Sequence, residues 1–338
     1  MKILRKFFKN CNKRCNVLVI GGNGMLGFDL VNLLKDESTS TNGVINIVDA
    51  PSSKKLDASY YCALNDYLMD CRGFDYIINC AGYTDTMGCE DERNRKCSYE
   101  SNVSVAVNIA KACKKFGCKM IHISTNEVFP SSTFTHEIYD EPKPSYVYGM
   151  EKYIAELEIS KILPEDRYSI LRTSWIFGAH REKSFIHKCI DSFTRYSRCD
   201  SSPIYCVKDE ISIPTSTWFL SNYILNIIRQ NGHGIYHAVQ GGKVVSRYDY
   251  MCRILKELHK IGEFPEISCE DDIRPVGYDE FKGVRTVGNV ILSTAIEHGI
   301  MYIDNGRFWE EDLWKLIKEH GSEIVKNSFQ RIGGRGDA

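Results

Sequence analysis

No apolar run in the sequence approaches the ~20 residues that a helix needs to cross a bilayer, so no membrane partner is expected. There is no charge imbalance either: 43 Lys and Arg stand against 44 Asp and Glu, a formal net charge of −1. That excludes a general attraction to nucleic acid or to anionic lipid. Proline is sparse, at nine residues, and the 25 glycines are scattered. Long disordered stretches are therefore not expected. The opening MKILRKFFKNCNKRCN is basic but has no apolar core of ~7–15 residues, so it does not read as a secretory signal. Cysteine is not scarce, at fourteen, but zinc-site spacing is missing. Cys11 and Cys15 have no second ligand pair, and His122, His180 and His187 show no ligand-like spacing. Free thiols in a reducing cytoplasm, and no metal, are the expectation.

What is present reads as an ordinary globular chain. Of its 338 residues 43% are hydrophobic and 26% charged, enough to bury a real core. Strand-like and helix-like stretches alternate from residue 16 to about 178. Strands are expected at 16–20, 44–50, 74–82, 118–125 and 168–178, and helices over 25–34, 61–70, 100–117 and 148–160. This alternation predicts an α/β fold, a Rossmann-type doubly wound parallel sheet, with a smaller C-terminal substrate lobe. A helix over 216–230 and a strand over 234–239 return to the sheet. Helices over 247–262 and 308–321 belong to the smaller lobe. The expected organisation is a basic tail (1–14), then a dinucleotide-binding lobe (15–178 plus about 213–242). A substrate lobe (about 179–212 plus 243–322) and a flexible tail (323–338) complete it.

Gly21, Gly24 and Gly27 have GxxGxxG spacing between the first strand and the first helix. The first glycine permits a tight turn, the second lets backbone approach a pyrophosphate, and the third lets helix pack on strand. The helix N-terminus supplies N–H groups and positive dipole. Asp49 ends the second strand, 22 residues after Gly27. An acid there accepts from ribose hydroxyls and repels a 2′-phosphate, which favours NAD(H). Lys54 and Lys55 nearby would offset it and admit NADP(H), so both cofactors stay open.

Tyr148 and Lys152 form a YxxxK pair on one face of a helix. An adjacent ammonium favours the phenolate and eases proton exchange. A shift of ~3 units needs about 4 kcal/mol, more than one exposed charge usually supplies. The pair follows the strand that ends in Ser124–Thr125, and ligands of open α/β sheets lie beyond such carboxyl ends. A hydroxyl, a phenol and an ammonium converging there make a proton-transfer site.

These residues carry a resemblance. GGNGMLG, INCAGYTD (78–85), STNEVF (124–129), YGMEK (148–152), LRTSWIFG (171–178) and DEISIPTST (209–217) resemble the extended short-chain dehydrogenase/reductases. Within them the chain is similar to the dTDP-4-dehydrorhamnose reductases, from about residue 16 to 320. The resemblance implies that Gly21, Gly24, Met25, Leu26 and Gly27 hold the pyrophosphate and that Asp57 reaches the adenine. It implies that Cys80, Ala81 and Gly82 pass close to the cofactor, with Tyr83 nearer the sugar. Thr125 would bond the substrate oxygen, Tyr148 would donate the proton, and Lys152 would hold the nicotinamide ribose. Trp175 would line the sugar site, and either Arg285 or Arg274 would supply a late substrate-binding arginine.

STNEVF is a hybrid. The reductases usually read STDYVF and the nucleotide-sugar 4,6-dehydratases STDEVYG. Asn126 replaces the dehydratase acid, whereas Glu127 keeps a carboxylate. In an extended segment Thr125 and Glu127 face one side, so Glu127 is either a carboxylate shaping the sugar pocket or a solvated or lysine-paired bystander, and Asn126 is a further substrate-binding candidate. The implied activity is NAD(P)H-dependent reduction of a nucleotide-linked 4-keto-6-deoxy sugar by a cytoplasmic enzyme, with a homodimer allowed. Two alternatives stand: an epimerase or dehydratase that retains NAD, and a non-catalytic dinucleotide-binding subunit like the regulatory β subunit of methionine adenosyltransferase.

Overall fold

The computed structural model describes residues 14–71, 73–132, 134–180, 184–198, 202–281, 288–292 and 307–333. The expected basic tail, except Arg14, and Arg285 lie outside the described residues.

Six parallel strands form the central sheet. They are β1 (Cys15–Ile20), β2 (Ile45–Asp49), β3 (Tyr76–Asn79), β4 (Lys119–Thr125), β5 (Tyr168–Thr173) and β6 (Gly234–His237). Their spatial order is β6-β5-β4-β3-β1-β2. The chain runs from β1 to β2 on one side and returns to place β3 on the other. The strand order therefore reverses between β1 and β3, and the crevice where such folds bind ligands opens at their carboxyl ends.

Alternation along β1 explains the two layers. Val17 and Val19 point into one core with Leu26, Leu30 and Leu34 of α1 (Met25–Thr39) and Phe219, Leu220 and Tyr223 of α6 (Thr217–Gln230). Leu18 and Ile20 point the other way. They meet Leu64 and Leu68 of α2 (Tyr61–Asp70), Ile109 of α3 (Val105–Phe116), and Ala155 and Ile159 of α4 (Val147–Ile162). Each such buried Leu, Ile or Phe contributes roughly 1.5–3 kcal/mol.

A third core gathers α5 (Phe185–Arg198), α7 (Arg247–His259) and α8 (Trp309–Gly333) around two short strands, 204–207 and 273–276. Here the sequence reading needs correction. Residues 323–333 are not a flexible tail: α8 continues through Gly333. Ile324 and Val325 are buried, Ser328 donates to Asp191 Oδ1 at 2.6 Å, and Arg331 pairs with the same carboxylate at 2.7 Å. The apolar face of this stretch is completed by residues distant in the chain, among them Phe264, whose ring stacks on Phe329.

The helix expected over 100–117 also differs. Residues Glu100–Ser104 form a π-helical turn between two α-helical pieces. That extra residue per turn carries Asn102, which is buried, to the loop after β3.

Candidate active site

The Gly-rich turn is built as its spacing requires. Gly21 has φ +83°, and an added Cβ would lie 2.6 Å from Ala81 N. A Cβ on Gly27 would lie 2.2 Å from Gly21 O. Side chains at either place would push the β3 loop or α1 out of position. Gly24 is the N-cap of α1 and offers no side-chain cap to the helix N–H groups. The first turn thus has donors for an anion, and the residues present fit a dinucleotide pyrophosphate. Leu26 differs from a direct ligand-facing role: its side chain is buried in the core, so only its backbone faces the turn. Met25 packs beside Gly178, whose added Cβ would lie 3.2 Å from Met25 Cγ.

Asp49 stands at the end of β2, but its carboxylate is engaged. Tyr67 Oη donates to Asp49 Oδ2 at 2.5 Å, and Lys55 Nζ sits 5.7 Å from the centre of the Tyr67 ring. Burial first, and then Asp49, hold the Tyr67 phenol protonated by raising its pKa. Asp57 is exposed and accepts from the Ser59 amide at 3.0 Å and hydroxyl at 2.6 Å.

Behind β3, Cys80 N donates to Ile20 O at 2.9 Å, holding the 80–82 segment against the turn. Gly82 lets Asn102 approach, since an added Cβ would lie 3.3 Å from Asn102 Oδ1. Asn102 clamps Tyr83, accepting from its N–H at 2.9 Å and donating to its carbonyl at 3.1 Å.

Helix α4 is fixed along its length to the end of β4. Glu90 Oε1 accepts from Val147 N at 2.7 Å, a carboxylate at the helix N-terminus. Gly149 meets the backbone of Glu127: an added Cβ would lie 2.1 Å from Glu127 O. Glu151 accepts from Ser98 Oγ at 2.6 Å and from Asn102 Nδ2 at 2.8 Å. Lys152 Nζ donates to Ile123 O at 2.6 Å. Glu156 accepts from Ser124 and makes a buried pair with Arg172 of β5 at 2.8 Å. Breaking such a pair typically costs about 3–5 kcal/mol, so it anchors α4 firmly. These contacts set Gly149 and Lys152, and with them the first turns of α4, against the end of β4.

Thr125 is nearly buried and caps a 3₁₀ turn, Asn126–Val128, by accepting from Glu127 N at 3.2 Å. Its own proton has a long partner in Asn126 Oδ1 at 3.4 Å. It is therefore available to a better acceptor. The extended alternation expected for Thr125 and Glu127 does not hold, because the backbone turns at Asn126. Asn126 also departs from a substrate-facing role. It is 2% exposed, and its Nδ2 donates to Asn289 O at 3.0 Å. Asn289 Nδ2 returns a bond to Asn126 O at 2.9 Å. This reciprocal pair ties the β4 rim to the segment around residue 289.

Trp175 has φ +38°, a conformation that costs of order 1–3 kcal/mol for a side chain of this size. One face of its ring is covered by the Arg247 guanidinium at 3.5 Å, which Glu210 pairs at 2.9 Å. Arg274 lies on the short strand 273–276 with its neighbour Pro275.

Over residues 15–320 the chain matches the RmlD substrate binding domain. The protein belongs to that family. This RmlD-family chain is 29% identical over 274 residues to the dTDP-4-dehydrorhamnose reductase of Mycolicibacterium smegmatis, covering 78% of this chain and 73% of that protein. A solved dTDP-4-dehydrorhamnose reductase from Yersinia enterocolitica is 26% identical with TM-score 0.72, over 94% of this chain and all of that one. The fold is shared with a Bacillus anthracis dTDP-4-dehydrorhamnose reductase solved with NADP, TM-score 0.75 at 24% identity, over 90% of this chain and 99% of that one.

Sequence reasoning passed over several residues of the RmlD-family site. Gly149, Glu151 and Glu156 lie inside or after the YxxxK motif, but what they touch is set by tertiary approach. Asn79 was quoted within INCAG without a role. His122 was weighed only as a metal ligand, and among the described residues no metal-ligating cluster is present. It is instead fully buried, 3.1 Å from Asn79 Nδ2 and 3.3 Å from Lys152 Nζ. No helix among the described residues is long and apolar enough to cross a membrane.

Proposed function

We propose that this protein is an NAD(P)H-dependent oxidoreductase that reduces the C4 keto group of a nucleotide-linked 4-keto-6-deoxy sugar. The observation that carries this reading is the anchoring of α4 against the end of β4, with Gly149 on the Glu127 backbone. It supports a reading in which Tyr148 and Lys152 act together with Thr125 beyond the end of β4. When bound, the nicotinamide cofactor supplies the hydride. Gly21, Gly24, Gly27 and the first turn of α1 would hold its pyrophosphate, with Met25 and Leu26 contributing backbone, and the 80–82 segment and Lys152 would flank its nicotinamide half. Thr125 donates a hydrogen bond to the oxygen that gains negative charge, and Tyr148 gives it a proton. Tyr83 and Trp175 remain the candidates to border the sugar.

Two features favour reduction over dehydration. Asn126 has no proton to give as an acid, and its amide is engaged with Asn289. The purified protein should oxidise NADH or NADPH when given dTDP-4-keto-6-deoxy sugars. No oxidation across such a panel, with wild type behaving like Tyr148→Phe, would sink the reading. Turnover without added cofactor would instead favour the NAD-retaining epimerase or dehydratase. Cofactor binding with a stable protein partner and no turnover would favour the regulatory subunit.

Because the backbone turns at Asn126 instead of continuing the strand past Thr125, Glu127→Gln is expected to leave kcat and KM within about twofold of wild type. A tenfold loss of kcat would return Glu127 to the chemistry. Cofactor choice should respond to Tyr67. Tyr67→Phe frees the Asp49 carboxylate to accept from a ribose hydroxyl and to repel a 2′-phosphate. The ratio of kcat/KM for NADPH over NADH should fall about tenfold, the size of one hydrogen bond to a charged group. An unchanged ratio would mean that Asp49 does not meet the ribose.

A further inference from the structure

Asn79, His122 and Lys152 form a buried chain whose hydrogen-bond accounting has one solution. Asn79 Oδ1 accepts from Ala81 N at 3.1 Å. That contact turns the amide nitrogen, which only donates, towards His122 Nδ1 at 3.1 Å. Nδ1 must therefore be the lone-pair nitrogen of the ring. His122 is neutral, because burial above all holds it well below the usual imidazole range. A neutral imidazole has one N–H, so it is on Nε2. Nε2 faces Lys152 Nζ at 3.3 Å. An ammonium also only donates, so the two would meet proton to proton. A neutral amine accepts that N–H and still donates to Ile123 O at 2.6 Å.

We propose that Asn79 and His122 are positioning residues acting through Lys152: Asn79 fixes the His122 tautomer, and that tautomer disfavours the Lys152 ammonium. The opposed Nε2–H of His122 acts in the same direction as burial and eases loss of the Lys152 proton. The inference rests on the reading of Lys152 as the partner of Tyr148.

Of the other groups around Lys152 that favour its ammonium, the two carboxylates are engaged elsewhere. Glu156, on the same helix, is paired with Arg172 of β5 and bonded by Ser124. Glu151 is bonded by Ser98 and Asn102. Cys80, after β3, is pushed up to about 12 by burial and stays a neutral thiol. Tyr148 lies one turn back on α4. Burial dominates, and Lys152 is pulled down to about 8.

The test uses the full chain without substrate. Long-range ¹H–¹⁵N correlation should show His122 protonated on Nε2. The ¹³Cε shift of Lys152, assigned by its loss in Lys152→Met, should titrate near pH 8. In Asn79→Asp the carboxylate accepts from both Ala81 N–H and the ring, so the proton moves to Nδ1. Nε2 then offers a lone pair to the ammonium, and the midpoint should rise by at least about one pH unit, a tenfold gain in proton affinity. His122→Phe deletes the opposing N–H and should raise the midpoint as well, which keeps the idea testable if Asn79→Asp does not fold. An Nδ1–H tautomer in wild type would overturn the proposal. So would a wild-type midpoint at the ordinary lysine value of ~10.4, or a tautomer that inverts while Lys152 does not move. A protein that reduces no keto sugar would refute the proposed function alone, because none of these measurements needs turnover.

Discussion

Tyr148→Phe should lower kcat by about 10²–10⁴-fold while leaving cofactor affinity within a few fold, the size of effect expected for loss of a positioned general acid. The substitution removes one oxygen. Tyr148 lies in the first turn of α4 and is only half-buried, so no core is disturbed. The helix is held by Glu90, Glu151, Glu156 and Gly149. Stopped-flow cofactor oxidation with the keto sugar, alongside equilibrium cofactor binding, separates the two quantities. A variant that keeps a tenth or more of the wild-type rate would show that another group, or water, delivers the proton. Loss of cofactor binding together with rate would give Tyr148 a holding role instead.

Gly149→Ala should cost about 10²-fold in kcat, the loss that a misplacement of about 1 Å can cause in a positioned site. An added Cβ would stand 2.1 Å from the Glu127 carbonyl oxygen. That neighbour is backbone, fixed by the end of β4 and by the 3₁₀ turn that Thr125 caps. The helix must therefore back away, and it carries Tyr148 and Lys152 with it. Stability should fall too, by about 1–3 kcal/mol as for other overpacked sites. Thermal unfolding and kcat measured on one preparation test this. Wild-type kcat in a folded Gly149→Ala would mean that the separation of Tyr148 from Thr125 does not limit the reaction.

The β/α alternation was legible in the sequence because buried parallel strands are short apolar runs and the helices between them keep their own period. The glycine turn was legible for a similar reason. A glycine is required where backbone meets backbone, and Gly21 and Gly27 stand where an added Cβ would collide with Ala81 N and Gly21 O. The direction in which Glu127 leaves the strand was not legible, because alternation ends at Thr125, where the chain turns. Residues 323–333 read as flexible in the sequence because the residues that cover them, in α5 and around Phe264, are distant in the chain.

By itself, then, the sequence determined the parallel sheet, the phosphate turn and the YxxxK pair. Each is a local pattern, fixed by side-chain periodicity or by the conformational freedom of glycine. Tertiary structure alone decided what those groups are joined to. It placed Tyr67 on Asp49, Asn289 on Asn126, Arg247 on Trp175, and the Asn79–His122 pair on Lys152. These partners lie from 18 to 163 residues apart in the chain. A buried donor or acceptor must be satisfied by whatever the fold brings within about 3 Å, and sequence spacing carries no record of that.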